Sequence, residues 1–276
     1  MTNFYGQYIG FGAGGVPVPE FMEVSSDATV TTSGDYKIHS FTSTGTFTVA
    51  KVGSDSTYGD AVECLIVGGG GGGGTQFGGG GGAGGFRTFS SSTVSAGAYT
   101  CTVNGGGAVQ TSGGVSSFNS LESAGGGRGG YWEGTAAADG GSGGGNGAAA
   151  GGGSAGSGNV PSTSPSQGNP GGAGSGYGGG SGGGAGGTGG NWSPQGAPTA
   201  NSITGSSVNY AEGGGGSINS NPGNGRGGGN AGSPGAAGSP SNGVVNTGGG
   251  GGGSPNNPSL GGTGGSGIVI IKVKFQ

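Results

Sequence analysis

Residues 61–74 read AVECLIVGGGGGGG, an apolar stretch that runs without interruption into seven glycines. The aliphatic side chains of residues 61–67 predict a β-strand, and their near-continuous apolar character predicts burial on both faces of that strand. A buried strand is held in a sheet, so the glycine run that follows has an anchored start. We therefore expect this run to be ordered, unlike a free glycine-rich tail.

The composition of the whole chain excludes several classes of protein. Glycine supplies 87 of 276 residues, charged residues are only 7%, and the net charge is −4. Disordered chains are usually rich in charge, and a chain this poor in basic residues has no surface for nucleic acid or anionic lipid. No stretch approaches the ~20 apolar residues of a membrane-spanning helix, and residues 1–15 lack the features of a secretory signal. We expect synthesis in a cytoplasm, without membrane insertion.

Alternating polar and apolar residues predict a β-domain. The predicted strands cover residues 29–31, 36–41, 46–49, 61–67, 86–89, 98–103 and 115–121. Residues 268–275 (IVIIKVKF) give another strong strand pattern, whose partners must lie in the first part of the chain. The sequence therefore predicts an antiparallel β-sandwich base, built from residues 28–120 with 267–276 and closed by the C-terminal strand. Residues 68–85 are a glycine excursion of this base.

The remaining glycine runs could form a collagen helix, a disordered chain or a packed array of polyproline-II helices made of glycine. Collagen needs glycine at every third position, and runs such as residues 68–74 break that period. Disorder is the serious alternative, because ordering each glycine costs about 1–2 kcal/mol and few side chains are buried in return. Packed helices offset this cost with backbone hydrogen bonds and close contact. We predict such a polyglycine-II array over residues 121–266, projecting from the base with exposed loops.

Interruptions between the glycine runs hold most recognition-capable side chains of this region. Tyrosine and tryptophan offer a large contact area at low entropic cost. Packing over the flat face of the array is the favoured interpretation for Tyr177, whereas packing and ligand contact both stay open for Tyr131, Trp132 and Trp192. The candidate receptor-binding residues are Tyr131, Trp132, Glu133, Asn191, Trp192, Asn209 and Tyr210.

No motif for catalysis, cofactor binding or metal binding stands out. Copies of GxGxxG arise by chance in so glycine-rich a chain. His39 lies in a predicted strand beside Lys37, and we interpret it as an ordinary strand residue. Cys64 and Cys101 also lie in predicted strands, either as buried thiols or as a cross-strand disulfide. We predict that the protein is not an enzyme and has no cofactor and no metal.

Residues 1–27 differ from the β-domain and from the glycine runs. Aromatic residues alternate with glycine, and the segment continues into the extended Val16-Pro17-Val18-Pro19. Such a segment cannot form a domain alone. We predict an N-terminal arm that docks on another protein through Phe4, Tyr5, Tyr8 and Phe11.

The order of these motifs resembles that of glycine-rich fibre and adhesin proteins of tailed bacteriophages, over about residues 34–276. The motifs are GDYKIHSFTSTGTFTV (34–49), VECLIVGGGGGGG (62–74), AYTCTVNGGG (98–107) and GGSGIVIIKVKF (264–275). The composition is also similar to that of the polyglycine-sandwich tips of T-even-type long tail fibres. In those tips, variable loops between glycine helices bind receptors on the host surface.

The resemblance implies a virion protein that presents such loops to the host cell. Its partners would be other virion or tail proteins, reached through the arm and the β-domain, and a glycan or outer-membrane protein of the host. A homo-oligomer is expected, and virion fibres are commonly trimers. The alternative is a head decoration or fibre spacer without receptor binding. A secreted matrix protein would require an export signal.

Overall fold

A computed structural model describes residues 20–132, 135–148, 153–176, 178–191, 193–217, 240–255 and 260–276. The predicted docking residues Phe4, Tyr5, Tyr8 and Phe11 lie outside these ranges, as do Glu133, Tyr177 and Trp192. The described residues form twelve strands: β1 (Glu23–Ser26), β2 (Thr29–Ser33), β3 (Tyr36–Phe41), β4 (Gly45–Lys51), β5 (Ala61–Val67), β6 (Phe86–Thr93), β7 (Gly97–Cys101), β8 (Ser116–Phe118), β9 (Leu121–Ser123), β10 (Thr199–Asn201), β11 (Val208–Tyr210) and β12 (Ile268–Lys274). In these ranges no helix has the length and apolarity to cross a membrane.

The strands form an all-β base with two main antiparallel sheets, neither of which closes into a barrel. One sheet has the order β2-β3-β12-β5-β6 and the other the order β1-β4-β7. The C-terminal strand β12 lies in the middle of the larger sheet, where Ile270 pairs with Ser40 of β3 and with Leu65 of β5. The last residues of the chain thus complete the sheet begun by the first strands, as the apolar pattern predicts.

The larger sheet is covered on both faces. Cys64 and Ile66 of β5 point into a core shared with the smaller sheet, which contributes Phe47 and Val49. Leu65, from the alternate register of the same strand, lies in a second core on the opposite face. The second core also contains Ile38, Val67, Ala83, Ile203, Tyr210, Ala211, Ile268 and Ile270. The burial on both faces predicted for residues 61–67 is therefore observed.

The base is larger than the sequence predicts at two places. Strand β1 lies in the segment assigned to the N-terminal arm, and it pairs with β4 while Met22 enters the first core. The β10–β11 hairpin lies in the segment assigned to the glycine array, and its Tyr210 covers the larger sheet. Both elements are short and polar on one side, so their local pattern is weak, and burial against the sheets fixes their conformation.

The glycine segments 68–74 and 78–85 run away from β5 and return to β6 as an antiparallel pair. Every third N–H of the first segment donates to the second: Gly68 to Gly85, Gly71 to Gly82 and Gly74 to Gly79, over 2.8–3.0 Å. The intervening N–H groups donate to two other segments: Gly69 to Gly114, Gly72 to Thr111, Gly70 to Gly265 and Gly73 to Gly262. The hydrogen-bond direction therefore rotates around the segment with a period of three residues.

Segment 78–85 is surrounded by six other segments. Its N–H groups donate to segments 124–130, 180–183 and 248–254, and its carbonyl groups accept from segments 68–74, 142–145 and 214–217. Backbone groups thus satisfy one another across long distances in sequence, without side chains. The glycine array is the name used below for these bonded segments: 68–74, 78–85, 111–114, 124–130, 142–145, 180–183, 214–217, 248–254 and 262–265.

The central glycines of the array leave no space for a side chain in their place. A Cβ at Gly71 would overlap the carbonyl oxygen of Gly127, and one at Gly81 would overlap that of Gly71. Ser217 is an exception: it is fully buried, and its Oγ accepts from the Gly179 N–H at 2.9 Å. The packing distance in the array is therefore set by the backbone.

We expect Gly71→Ala to destabilise the protein by about 1–3 kcal/mol or more, because the methyl group would force neighbouring backbones apart. Gly105→Ala is the matched control, since a Cβ at Gly105 meets no atom within 4 Å. Calorimetric unfolding should show a lower Tm for Gly71→Ala and a nearly unchanged Tm for Gly105→Ala. Equal Tm values for both variants would contradict close backbone packing.

Candidate functional site

The turn at residues 75–77 lies at the end of segments 68–74 and 78–85 that points away from the base, because it joins the segment that leaves β5 to the segment that returns to β6. Other segments converge on it. The Trp132 N–H donates to the Gln76 carbonyl at 3.1 Å, and the Ala148 N–H donates to the Phe77 carbonyl at 2.9 Å. Gln110 Nε2 donates to Thr75 Oγ1 at 2.9 Å. We define the distal tip as Thr75, Gln76, Phe77, Gln110, Tyr131 and Trp132.

The distal tip carries an aromatic pair. The ring centroids of Phe77 and Trp132 are 5.4 Å apart, and the planes are tilted by 54°. Both side chains are half-buried, as is Tyr131, whose N–H lies 3.4 Å from the Thr135 carbonyl and closes the loop. The structure therefore brings the predicted residues Tyr131 and Trp132 together and adds Phe77 to them.

Side chains at the distal tip occupy backbone positions that favour glycine. Gln76 has φ 49°, Phe77 has φ 56° and Gln110 has φ 58°. For a residue with a Cβ, this left-handed conformation costs roughly 1–2 kcal/mol. Glycine flanks the turn on both sides, at residues 74 and 78, and would relieve the strain at either residue.

The other predicted site residues lie elsewhere. Asn191 is exposed and forms a β-bridge with Gly180. The Gly180 carbonyl accepts from the Gly80 N–H, close to the turn at residues 75–77, so Asn191 lies toward the distal end of the array. Asn209 is exposed on β11, beside the base. Tyr210 is only 3% exposed, and burial raises its pKa. Its prediction as a receptor contact is corrected, because strand alternation turns Tyr210 inward against Phe86, at 6.3 Å between centroids.

Gln167 links the base to the segment that leads to Trp132. Its side chain is 1% exposed; Oε1 accepts from the Ala124 N–H at 2.9 Å, and Nε2 donates to the Pro161 carbonyl at 2.7 Å. The Phe86 N–H also donates to the Gln167 backbone carbonyl at 2.8 Å. These hydrogen bonds hold Ala124 in place, where segment 124–130 begins. Gln167 itself lies in an interruption between glycine runs, which the sequence predicts to be an exposed loop.

His39 and the two cysteines of the base are buried side chains. His39 is 2% exposed, its Nδ1 lies 2.7 Å from Ser26 Oγ, and burial together with Lys37 lowers its pKa to about 4. Cys64 and Cys101 are free and buried, which decides between the two interpretations open for them, and burial raises the pKa of each thiol to about 12. The described ranges contain no group of three or more His, Cys, Asp or Glu residues that could hold a metal.

Comparison with known proteins gives one family. Residues 42–274 match a family model described as a glycine-rich domain. The match begins directly after β3 and ends with the last residue of β12, so it takes in most of the base and the whole glycine array. No curated protein matches the chain.

The pH dependence of stability should report on His39, the only histidine of the chain. Its pKa is about 4 when folded, against the ordinary 6.5, so unfolding takes up a proton between these values. The stability that the neutral His39 contributes is fully present above pH 6.5 and is lost as the pH falls toward 4. Urea unfolding should show the free energy of unfolding falling from pH 7 to pH 5 by up to about 1.4 kcal/mol per pH unit. His39→Gln should remove this slope; the same slope in both proteins would refute the assignment.

Proposed function

We propose that this chain, which belongs to the glycine-rich domain family, is a virion fibre or adhesin protein of a tailed bacteriophage, and that its distal tip contacts receptors on the host surface. The observation that carries the proposal is that the two ends of the molecule differ in structure. Packed sheets lie at one end, and half-buried aromatic side chains lie at the other. The backbone array between them holds the second end away from the first.

We also propose that the glycine segments are polyglycine-II helices. The three-residue rotation of hydrogen bonds, the six neighbours of segment 78–85 and the absence of space for Cβ atoms support this assignment. A rise of about 3.1 Å per residue would make the segment about 25 Å long. The distal tip would then stand that far from the start of β6.

A rigid array suits receptor recognition. Each central segment is hydrogen-bonded to several others, as segment 78–85 is to six, so the loops at the tip are attached to a backbone that cannot shift independently. Preorganised loops lose little conformational entropy on binding, which favours affinity. Loops on such a support can also change in sequence without disturbing the packing beneath them.

The opposite end of the base is the proposed attachment surface. There the ammonium groups of Lys272 and Lys274 lie 4.4 Å and 5.0 Å from the ring centroids of Tyr36 and Tyr58. Phe21 also contacts Lys274, at 5.6 Å, so the described chain enters the base at this end. This placement supports docking of residues 1–19 and the base on other virion proteins. We propose a homo-oligomer, and specifically a trimer, because virion fibres are commonly trimers.

Adsorption of phage particles tests the receptor role. Particles carrying Trp132→Ala should assemble normally and adsorb about tenfold more slowly, since losing an aromatic hot spot costs about 1–2 kcal/mol or more. Val245→Ala is the control, because Val245 is 66% exposed in the turn before segment 248–254, which leaves from the base end of the array. If Trp132→Ala particles adsorb at the unchanged rate, the receptor role fails and a structural decoration or fibre spacer is the better assignment.

A further inference from the structure

The backbone of Gln76 and Phe77 points to a use for their side chains. Both residues are left-handed, in a turn flanked by glycine, and both would lose strain if replaced by glycine. Packing explains part of this, because Phe77 contacts Trp132. The Trp132 N–H binds the backbone carbonyl of Gln76 and not its side chain. Residues other than glycine in this conformation cluster at binding and active sites.

The chemistry of the distal tip is aromatic and amide-rich. Phe77 and Trp132 offer two tilted, half-buried rings as a hydrophobic platform. Gln76 and Gln110 each carry one amide acceptor and two donors, and Thr75 carries a hydroxyl. None of the six described tip residues carries a charge. Among these six residues an acidic ligand would find no cation to pair with its carboxylate.

We infer that the distal tip binds a neutral sugar ring. A pyranose has an apolar C–H face, which fits an aromatic platform, and a rim of hydroxyl groups, which fits amide donors and acceptors. Phe77 and Trp132 stack on the C–H face, and Gln76 and Gln110 bind the hydroxyl groups. This inference rests on the proposed function only for the location of the sugar, on the host surface; binding itself is a property of the isolated protein.

Saturation-transfer NMR with the purified full chain tests the inference. The probes are glucose, galactose and N-acetylglucosamine, with glucuronic acid as the acidic counterpart. At least one neutral sugar should receive saturation, and glucuronic acid should receive little. Absence of transfer to every neutral sugar, or equal transfer to glucuronic acid, would overturn the inference.

Glycine substitutions separate binding from folding. Gln76→Gly and Phe77→Gly should each reduce saturation transfer at least fivefold. In Gln76→Gly the Tm should stay the same or rise, because strain is relieved. In Phe77→Gly the relief of strain is offset by the lost contact with Trp132. Ser120→Gly is the matched control: Ser120 is left-handed, with φ 62°, in the β8–β9 turn of the base. It should leave binding unchanged. Unchanged binding in Phe77→Gly would overturn the assignment of the platform.

The NMR and adsorption experiments can fail separately. Slower adsorption of Trp132→Ala particles without binding of any sugar would keep the receptor role and overturn the sugar inference in favour of a protein receptor. Sugar binding with unchanged adsorption would support the sugar inference and overturn the receptor role.

Discussion

Satisfying backbone hydrogen bonds without side chains is the constraint on which the structure depends. A buried N–H or carbonyl without a partner costs free energy comparable to a lost hydrogen bond, and residues 78–85 have almost no side chains with which to meet that need. Partners must come from other segments, which must approach closely enough to bond. Glycine is required for that approach, so its abundance follows from the packing. The order of the array follows from the same requirement.

The β-base supplies what the glycine segments cannot supply themselves. Glycine loses more conformational freedom on folding than any other residue, so an isolated run gains too little to become ordered. Here segment 68–74 leaves β5, segment 78–85 leads into β6 and segment 262–265 leads into β12. These three strands are neighbours in one sheet. The sheet therefore sets the spacing and direction of the first segments, and later segments add to them. Gln167 adds a side-chain anchor where segment 124–130 leaves the short strand β9.

The sequence predicts the parts of the fold whose patterns are local. Continuous apolar residues identify β5 and β12, and runs of glycine identify where side chains have no space. Burial that depends on distant partners leaves no such pattern. Tyr210 sits among polar residues and resembles an exposed aromatic until the larger sheet is found beneath it. Phe77 is a single aromatic between two glycine runs, and only the fold brings it to Trp132.

The three-residue rotation of hydrogen bonds also restricts how such a molecule can change in length. Inserting one or two residues into segment 68–74 would turn every later N–H toward the wrong neighbour, while inserting three would keep the phase. With the rise of about 3.1 Å per residue of the polyglycine-II helices proposed above, the permitted step is about 9 Å. Antiparallel neighbours must lengthen together, since each is bonded along its length. The height of the array is therefore quantised, whereas the loops that cap it can vary residue by residue.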